Sequence, residues 1–246
     1  MTRLYYTWSA DDKNQSMIDE SVRQRWLARL PVDKKQAICR LLHRGNQDRS
    51  LLGLRLLSSA AREMRILDPL GQAFQLADII YPDSGKPRWR HQAATGFDFN
   101  ISHSANLVVT VVSETLRVGV DVEKIRPLRC LNFRAVMRAE ELAIIRQQPS
   151  RFFELWSIKE AVVKAADSAG LSRMRDVQIN NIEQAGLSDW VAHFDNCDWY
   201  VHALSIAPGF CMMVAASAPV LYLPVRVLAI RDLLCVRPYR LYNPAS

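Results

Sequence analysis

The sequence predicts an α+β protein in which helical and strand segments come in separate runs. Two observations carry that reading. Apolar residues fall at helical spacing over residues 17–64 and again over 151–169, while short alternating or apolar runs recur over 97–122 and 177–217. The length of 246 residues allows one large domain or two small ones around a sizeable core.

Taken in order, Leu4 to Trp8 reads as an opening strand. Met17 to Leu30 has helical spacing, with Met17, Ile18, Val22, Trp26, Leu27 and Leu30 apolar, and Pro31 interrupts it. Pro31 to Met64 is helical-hairpin material, with Leu51, Leu54, Leu57 and Ala61 as a buried stripe. Lys34, Lys35, Arg40, Arg44 and Arg49 lie between, in the pattern of a solvated basic helix face. YPDSGKPRWR is a turn by its Pro, Asp, Ser and Gly content. FDFNISHS and Leu107 to Val112 read as strands, and Ser113, Glu114 and Thr115 as a turn into Val118 to Val122. That connection sets His103 and Asp121 on one expected hairpin.

AVMRAEELAII reads as a helix, with Val136, Met137, Leu142 and Ile145 apolar and Pro149 past its end. RFFELWSIKEAVVKAADSAGL is a second helix, free of Gly and Pro before Gly170. VQINNIE, DWVAHFD, DWYVHALSIAP and GFCMMVAAS follow as successive strands. From Pro219 onward the chain reads as a helix or strand packed on its second half, or as a tail.

The formal net charge of +7 favours an anionic partner: nucleic acid, anionic lipid, a polyphosphate or an acidic protein. Five cysteines (Cys39, Cys130, Cys197, Cys211, Cys235) have no CxxC spacing, which points to a reducing compartment and against a disulfide framework or structural zinc. The first twenty residues lack the apolar core of a signal peptide. Pro208 to Val225 carries no formal charge, but Pro208, Gly209, Pro219 and Pro224 punctuate it, so it reads as core, not as a membrane span. These features predict a cytoplasmic protein without membrane contact.

Two segments carry the chemistry. In an extended chain, side chains at i and i+2 share a face, so Asp121 and Glu123 present two carboxylates close together. Such a pair repels unless one is protonated or a cation lies between them. On the helix of the second segment, RFFELWSIKEAVVKAADSAGL, Trp156, Glu160 and Lys164 are spaced i, i+4, i+8 and share one face. A third carboxylate there would complete an all-oxygen site suited to Mg²⁺. Alone, each signal has a plainer reading: Glu160 and Lys164 fit a solvated ion pair, a DxE at a strand end fits turn chemistry, and His103 between serines fits a structural hydrogen-bonder.

The words VGVDVE and LWSIKEAVVK together resemble the signature of the 4′-phosphopantetheinyl transferases, G-[VI]-D-[VI]-E followed by W-x-x-K-E-[AS]-x-x-K. Gly119, Asp121, Glu123, Trp156, Lys159, Glu160 and Lys164 match its fixed positions. FNISHS matches a further family word, and Gly85, Lys86 and Pro87 match a third. The resemblance covers about Pro31 to Ala218 and is to the longer, Sfp-like group. It implies two similar α+β halves related by pseudo-twofold symmetry: 1–113 binding the coenzyme A nucleotide, 114–218 holding Mg²⁺ and contacting the carrier protein, and 219–246 as an extension. A monomer is implied by analogy.

The implied reaction moves 4′-phosphopantetheine from coenzyme A to a serine hydroxyl of an apo acyl or peptidyl carrier protein and releases adenosine 3′,5′-bisphosphate. By resemblance Asp121, Glu123 and Glu160 hold Mg²⁺, with Mn²⁺ as an alternative, Glu160 is the base and Lys164 assists the leaving phosphate. Lys34, Arg49 and Ser50 occupy positions facing the 3′-phosphate of coenzyme A, with Ala37 where some relatives have a second lysine. Lys86 and Pro87 lie along the nucleotide end, and Ser102 and His103 face the phosphates, which would raise the imidazole pKa. Arg134, Val136, Met137, Arg138 and Glu141 form the carrier contact, with Arg146 also suited to an acidic partner and Glu141 matching a residue considered as an auxiliary base.

Two other classes compete. A nucleic-acid-binding module fits the positive charge, but the aromatics are not interleaved with basic residues and no binding motif is present, so no nucleic-acid partner is expected. A docking protein without catalysis fits the family words, but every expected metal position is acidic.

Overall fold

The structure is a computed structural model that describes residues 1–11, 15–82, 85–128, 133–168, 170–184 and 188–234. Its first part comprises β1 (Thr2–Trp8), α1 (Glu20–Leu27), α2 (Val32–Cys39), α3 (Arg44–Glu63), β2 (Ile79–Ile80), β3 (Arg88–Trp89), α4 (Gln92–Thr95), β4 (Asp98–Ser104) and β5 (Leu107–Ser113). Then come β6 (Val118–Lys124), α5 (Ala139–Gln147), α6 (Arg151–Ala165), a 3₁₀ turn (Leu171–Asp176), β7 (Gln178–Ile179), β8 (Asp189–Phe194), β9 (Cys197–Ala203), β10 (Phe210–Ala216), β11 (Val225–Val227) and α7 (Ile230–Leu234). The class is α+β, as the segment pattern predicts.

One sheet has the order β11-β1-β5-β4 and the other β6-β10-β9-β8-β7, with β2 and β3 as a separate ribbon. Helix α3 lies on the first sheet because Leu51, Leu54, Leu57 and Ala61 form the buried stripe its spacing predicts. The strands after α6 pair in antiparallel succession, as expected from their turns.

Four expectations are corrected. First, β5 and β6 form no hairpin. Both edges of β5 are taken by β1 and β4, so β6 pairs with β10 in the other sheet. Second, the expected helix from Ala135 begins only at Ala139. Arg138 has extended backbone angles, and its N–H donates to Glu141 Oε2 at 2.7 Å, which caps the first turn. Third, the segment after Pro219 joins the first half. β11 runs parallel to β1, and Leu233 of α7 is buried in the core beneath α3. Fourth, α1 is shorter than its apolar pattern because Asp19 Oδ1 accepts the Val22 N–H at 2.8 Å and starts the helix there.

The two sheets meet at a seam between β4 and β6. Polar side chains at alternate positions of β4 take the place of a backbone ladder. Asp98 Oδ2 accepts the Val118 N–H (2.8 Å), Asn100 Oδ1 the Val120 N–H (3.0 Å) and Ser104 Oγ the Lys124 N–H (3.0 Å), each pair 20 residues apart. On β6 the alternation separates two environments. Val118, Val120 and Val122 enter a core shared with Leu107, Val109 and Val111 of β5 and Met212 and Val214 of β10. Gly119, Asp121 and Glu123 alternate with them, and Gly119 faces α6. Gly119 is required there, since a Cβ would lie 2.1 Å from the Ala161 carbonyl oxygen and 2.5 Å from the Ala165 nitrogen. This close approach brings α6 down onto the carboxylates of β6.

Candidate active site

Asp121 on β6 and Glu160 on α6 are joined by the ammonium of Lys164. Its Nζ lies 2.9 Å from Asp121 Oδ1 and 3.0 Å from Glu160 Oε1. It also donates toward Ser102 Oγ and the Val120 carbonyl, both at 3.2 Å. Ser102 in turn donates to Asp121 Oδ1 at 3.1 Å, and Ser104 donates to Glu123 Oε2 at 2.9 Å. FNISHS and GVDVE thus meet across the seam through side chains, not through a turn. The Glu160–Lys164 pair is no solvated surface pair, because Asp121, which it engages, is only 3% exposed at its side chain.

Burial alone would lower the Lys164 pKa, but Asp121 and Glu160 outweigh it and hold the ammonium above its ordinary range. Glu123 is pushed up, chiefly by burial, with the Asp121 and Glu160 charges adding to it against the Ser104 hydrogen bond. Asp121 and Glu160 share the one ammonium, while Glu123 stands beside them bound by Ser104, and the excess negative charge is of the kind a cation relieves.

The expected metal triad is not assembled as an ion-binding cluster. Among the described residues no group of three His, Cys, Asp or Glu side chains is placed to hold a metal ion. Lys164 lies among these side chains and engages one oxygen each of Asp121 and Glu160. The donor set nevertheless fits a hard divalent cation, since all its atoms are oxygens and the buried Asp121 Oδ2 has no hydrogen-bond partner among the described residues.

His103 follows Ser102 on β4 and reaches solvent, although the surrounding protein removes much of its hydration. That desolvation, followed by the positive charge of Arg49, lowers its pKa below the ordinary 6.5, with Lys164 adding to the effect. Arg49 of α3, His103 of β4 and Lys164 of α6 thus share one cationic neighbourhood. Arg49 donates to Asn46 Oδ1, and Arg49 and Ser50 are half-buried. Lys34 lies over the Tyr81 ring at 4.0 Å, with its pKa lowered by burial, and no hydrogen bond or ion pair among the described residues ties it to His103.

Several expected contacts are corrected by burial. Lys86 is 7% exposed, and its ammonium is held by Asp98 Oδ2 at 2.5 Å and the Val118 carbonyl at 2.9 Å, so it braces the seam instead of facing a ligand. Pro87, beside it, is half-buried. Val136, Met137 and Glu141 are 6%, 1% and 1% exposed and offer no surface to a partner. Glu141 is instead paired with Lys159 at 2.9 Å, and Lys159 also donates to the Met174 and Val177 carbonyls at 3.0 and 3.1 Å. Arg134 and Arg146 are exposed and Arg138 partly so, which leaves this region basic on its surface.

Sequence reasoning missed the aromatic lining beside the carboxylates. A cavity of about 550 Å³ is lined by Glu123, Arg126, Phe133, Phe152, Phe153 and Trp156, among others. Phe133 stacks on Phe152 at 4.1 Å. The signal available was the i, i+4 spacing of Phe152 and Trp156 on the face that also carries Glu160. A larger cavity of about 670 Å³ lies between β8, β9 and residues 219–223 and contains none of the motif residues. Among the described residues no helix is long and apolar enough to cross a membrane.

Comparison with known proteins gives one family. The model of the 4′-phosphopantetheinyl transferase superfamily matches residues 117–212, which span β6, α6 and most of the second sheet. A 4′-phosphopantetheinyl transferase of Bacillus subtilis is 31% identical over 60% of this chain, and the match spans 64% of that relative's length. The 4′-phosphopantetheinyl transferase psf-1 of Bacillus pumilus is 28% identical over 91% of this chain and 93% of its own. The 4′-phosphopantetheinyl transferase Sfp of Bacillus subtilis strain 168 is 24% identical over 82% and 88%.

Proposed function

Because this chain belongs to the 4′-phosphopantetheinyl transferase superfamily, we propose that it transfers 4′-phosphopantetheine from coenzyme A to a serine of an apo acyl or peptidyl carrier protein. The observation that carries the reading is the grouping of Asp121, Glu160 and Lys164, with Glu123 beside them, at the seam of the two sheets. The serine oxygen forms a bond to the phosphorus that bears pantetheine, the pyrophosphate P–O bond breaks, and adenosine 3′,5′-bisphosphate leaves with that electron pair.

Glu160, whose side chain is 25% exposed, is positioned to take the serine proton. Lys164 is the cation nearest to it and stabilises the charge that develops on the leaving phosphate. Arg49 and His103 supply positive charge and hydrogen bonds for the phosphates, and Lys34 and Lys35 extend that field along the basic helices. Asp121, Glu123 and Glu160 would hold Mg²⁺, or Mn²⁺ in its place, which neutralises charge on the pyrophosphate. The aromatic cavity beside Glu123 suits the uncharged pantetheine arm. Exposed Arg134 and Arg146, with the partly exposed Arg138, suit an acidic carrier surface. In this assignment residues 1–113 serve the nucleotide and 114–218 the metal and carrier, within a monomer.

Intact mass spectrometry of an apo acyl carrier protein incubated with this protein, coenzyme A and Mg²⁺ tests the reading. A gain equal to phosphopantetheine that EDTA prevents is expected. No gain on any of several carriers, with coenzyme A bound, would leave only a docking role.

A further inference from the structure

Among the described residues the Lys164 ammonium has four oxygen neighbours: Asp121 Oδ1 (2.9 Å), Glu160 Oε1 (3.0 Å), Ser102 Oγ (3.2 Å) and the Val120 carbonyl (3.2 Å). An ammonium has only three N–H donors, so its oxygen shell is more than saturated. Two of the four neighbours are carboxylates that the proposed metal site requires. The remaining oxygen of Asp121 is buried and has no hydrogen-bond partner among the described residues. From this arrangement we propose that Lys164 is the resident counter-ion of the site, and that a divalent cation competes with it for Asp121 and Glu160. Residue 164 therefore sets metal affinity, and metal binding releases its ammonium for other work. The inference rests on the reading of Asp121, Glu123 and Glu160 as the metal-holding set.

The physical case is one of charge. With Lys164 in place Asp121 and Glu160 are partly compensated, while Glu123, bound by Ser104, adds a third carboxylate that the ammonium does not contact. A metal that binds must replace an ion pair already formed, which subtracts from its affinity. Without the lysine the same carboxylates repel one another, the metal-free protein is less stable, and a divalent ion relieves more strain.

Mn²⁺ is the probe, titrated into the full-length protein without coenzyme A and read as free ion by electron paramagnetic resonance. Lys164→Met should bind Mn²⁺ at least about tenfold more tightly than the parent, the effect of removing one unit charge at this range. Its Tm should be lower without metal and should rise more on adding Mg²⁺. Lys164→Arg, which keeps the charge, should bind more weakly than Lys164→Met. Unchanged or weaker binding by Lys164→Met overturns the inference while leaving the metal site standing. Failure of every form to bind Mn²⁺, or undiminished binding by Asp121→Asn, overturns the metal reading and this inference with it. If Lys164→Met does not fold, the parent protein still decides the matter. Acylation of the Lys164 amine, followed by peptide mass spectrometry, should increase on adding Mg²⁺, and no increase overturns the displacement.

Discussion

The His103 pKa is lowered in the free protein by desolvation, then by the Arg49 charge, with Lys164 adding to both. A bound phosphate would reverse the electrostatic part and raise the imidazole pKa. A group with a lower pKa when free and a higher one when bound takes up a proton on binding, so binding tightens as pH falls. Coenzyme A affinity should therefore increase between about pH 8 and pH 6, the range in which imidazole titrates. Calorimetry in buffers of different ionisation enthalpy measures that uptake directly. His103→Gln should remove the imidazole's share, and an unchanged proton uptake in the variant would place the titrating group elsewhere. The Asp121, Glu123, Glu160 and Lys164 grouping was legible in the sequence because periods of two and four residues fix which side chains share a face. The partners of Lys86 and Glu141 were not. A charged residue in a sequence does not reveal that Asp98 or Lys159 will meet it inside the fold.

Helix α6 does two jobs at once, with its Glu160 and Lys164 face on the site and its Lys159 in the interior. Lys159 is fully buried, and its pKa is lowered by burial in spite of Glu141. Removing either member of that pair leaves an uncompensated charge in the core. Glu141→Leu or Lys159→Met alone should each cost about 3–5 kcal/mol, and the double variant much less than the sum. Urea unfolding of the three proteins checks this, and additive losses would show that the pair is not coupled. The same pair makes Glu141 a brace between α5 and α6, not a carrier contact. The strong apolar pattern made α6 and α3 legible from sequence. The start of α5 was not, because Val136 and Met137 are buried by a turn and so imitate the inner face of a helix.

At the scale of the whole molecule the two sheets are joined by side chains along β4 and β6, and the site lies on that joint. The alternation Asp98, Asn100, Ser102, Ser104 was visible in the sequence, but its partner strand was not, since pairing between two sheet edges depends on where each sheet ends. β11 was equally hidden: three exposed residues acquire meaning only beside β1, more than 200 positions earlier. Deleting residues 225–246 removes the strand that covers the β1 edge and the Leu233 side chain from the first core. The truncated protein should lose several degrees in Tm or aggregate, and an unchanged melting curve would show that the extension adds nothing to the first half. The central claim is that this seam performs the transfer, with Glu160 as the base. Its most direct test is the rate at which apo acyl carrier protein gains phosphopantetheine mass, measured side by side for the parent and Glu160→Gln with coenzyme A and Mg²⁺. The account predicts a variant about 10²–10⁴-fold slower with an unaltered circular dichroism spectrum, as expected for loss of a general base. A Glu160→Gln protein that modifies the carrier at the parent's rate would contradict it.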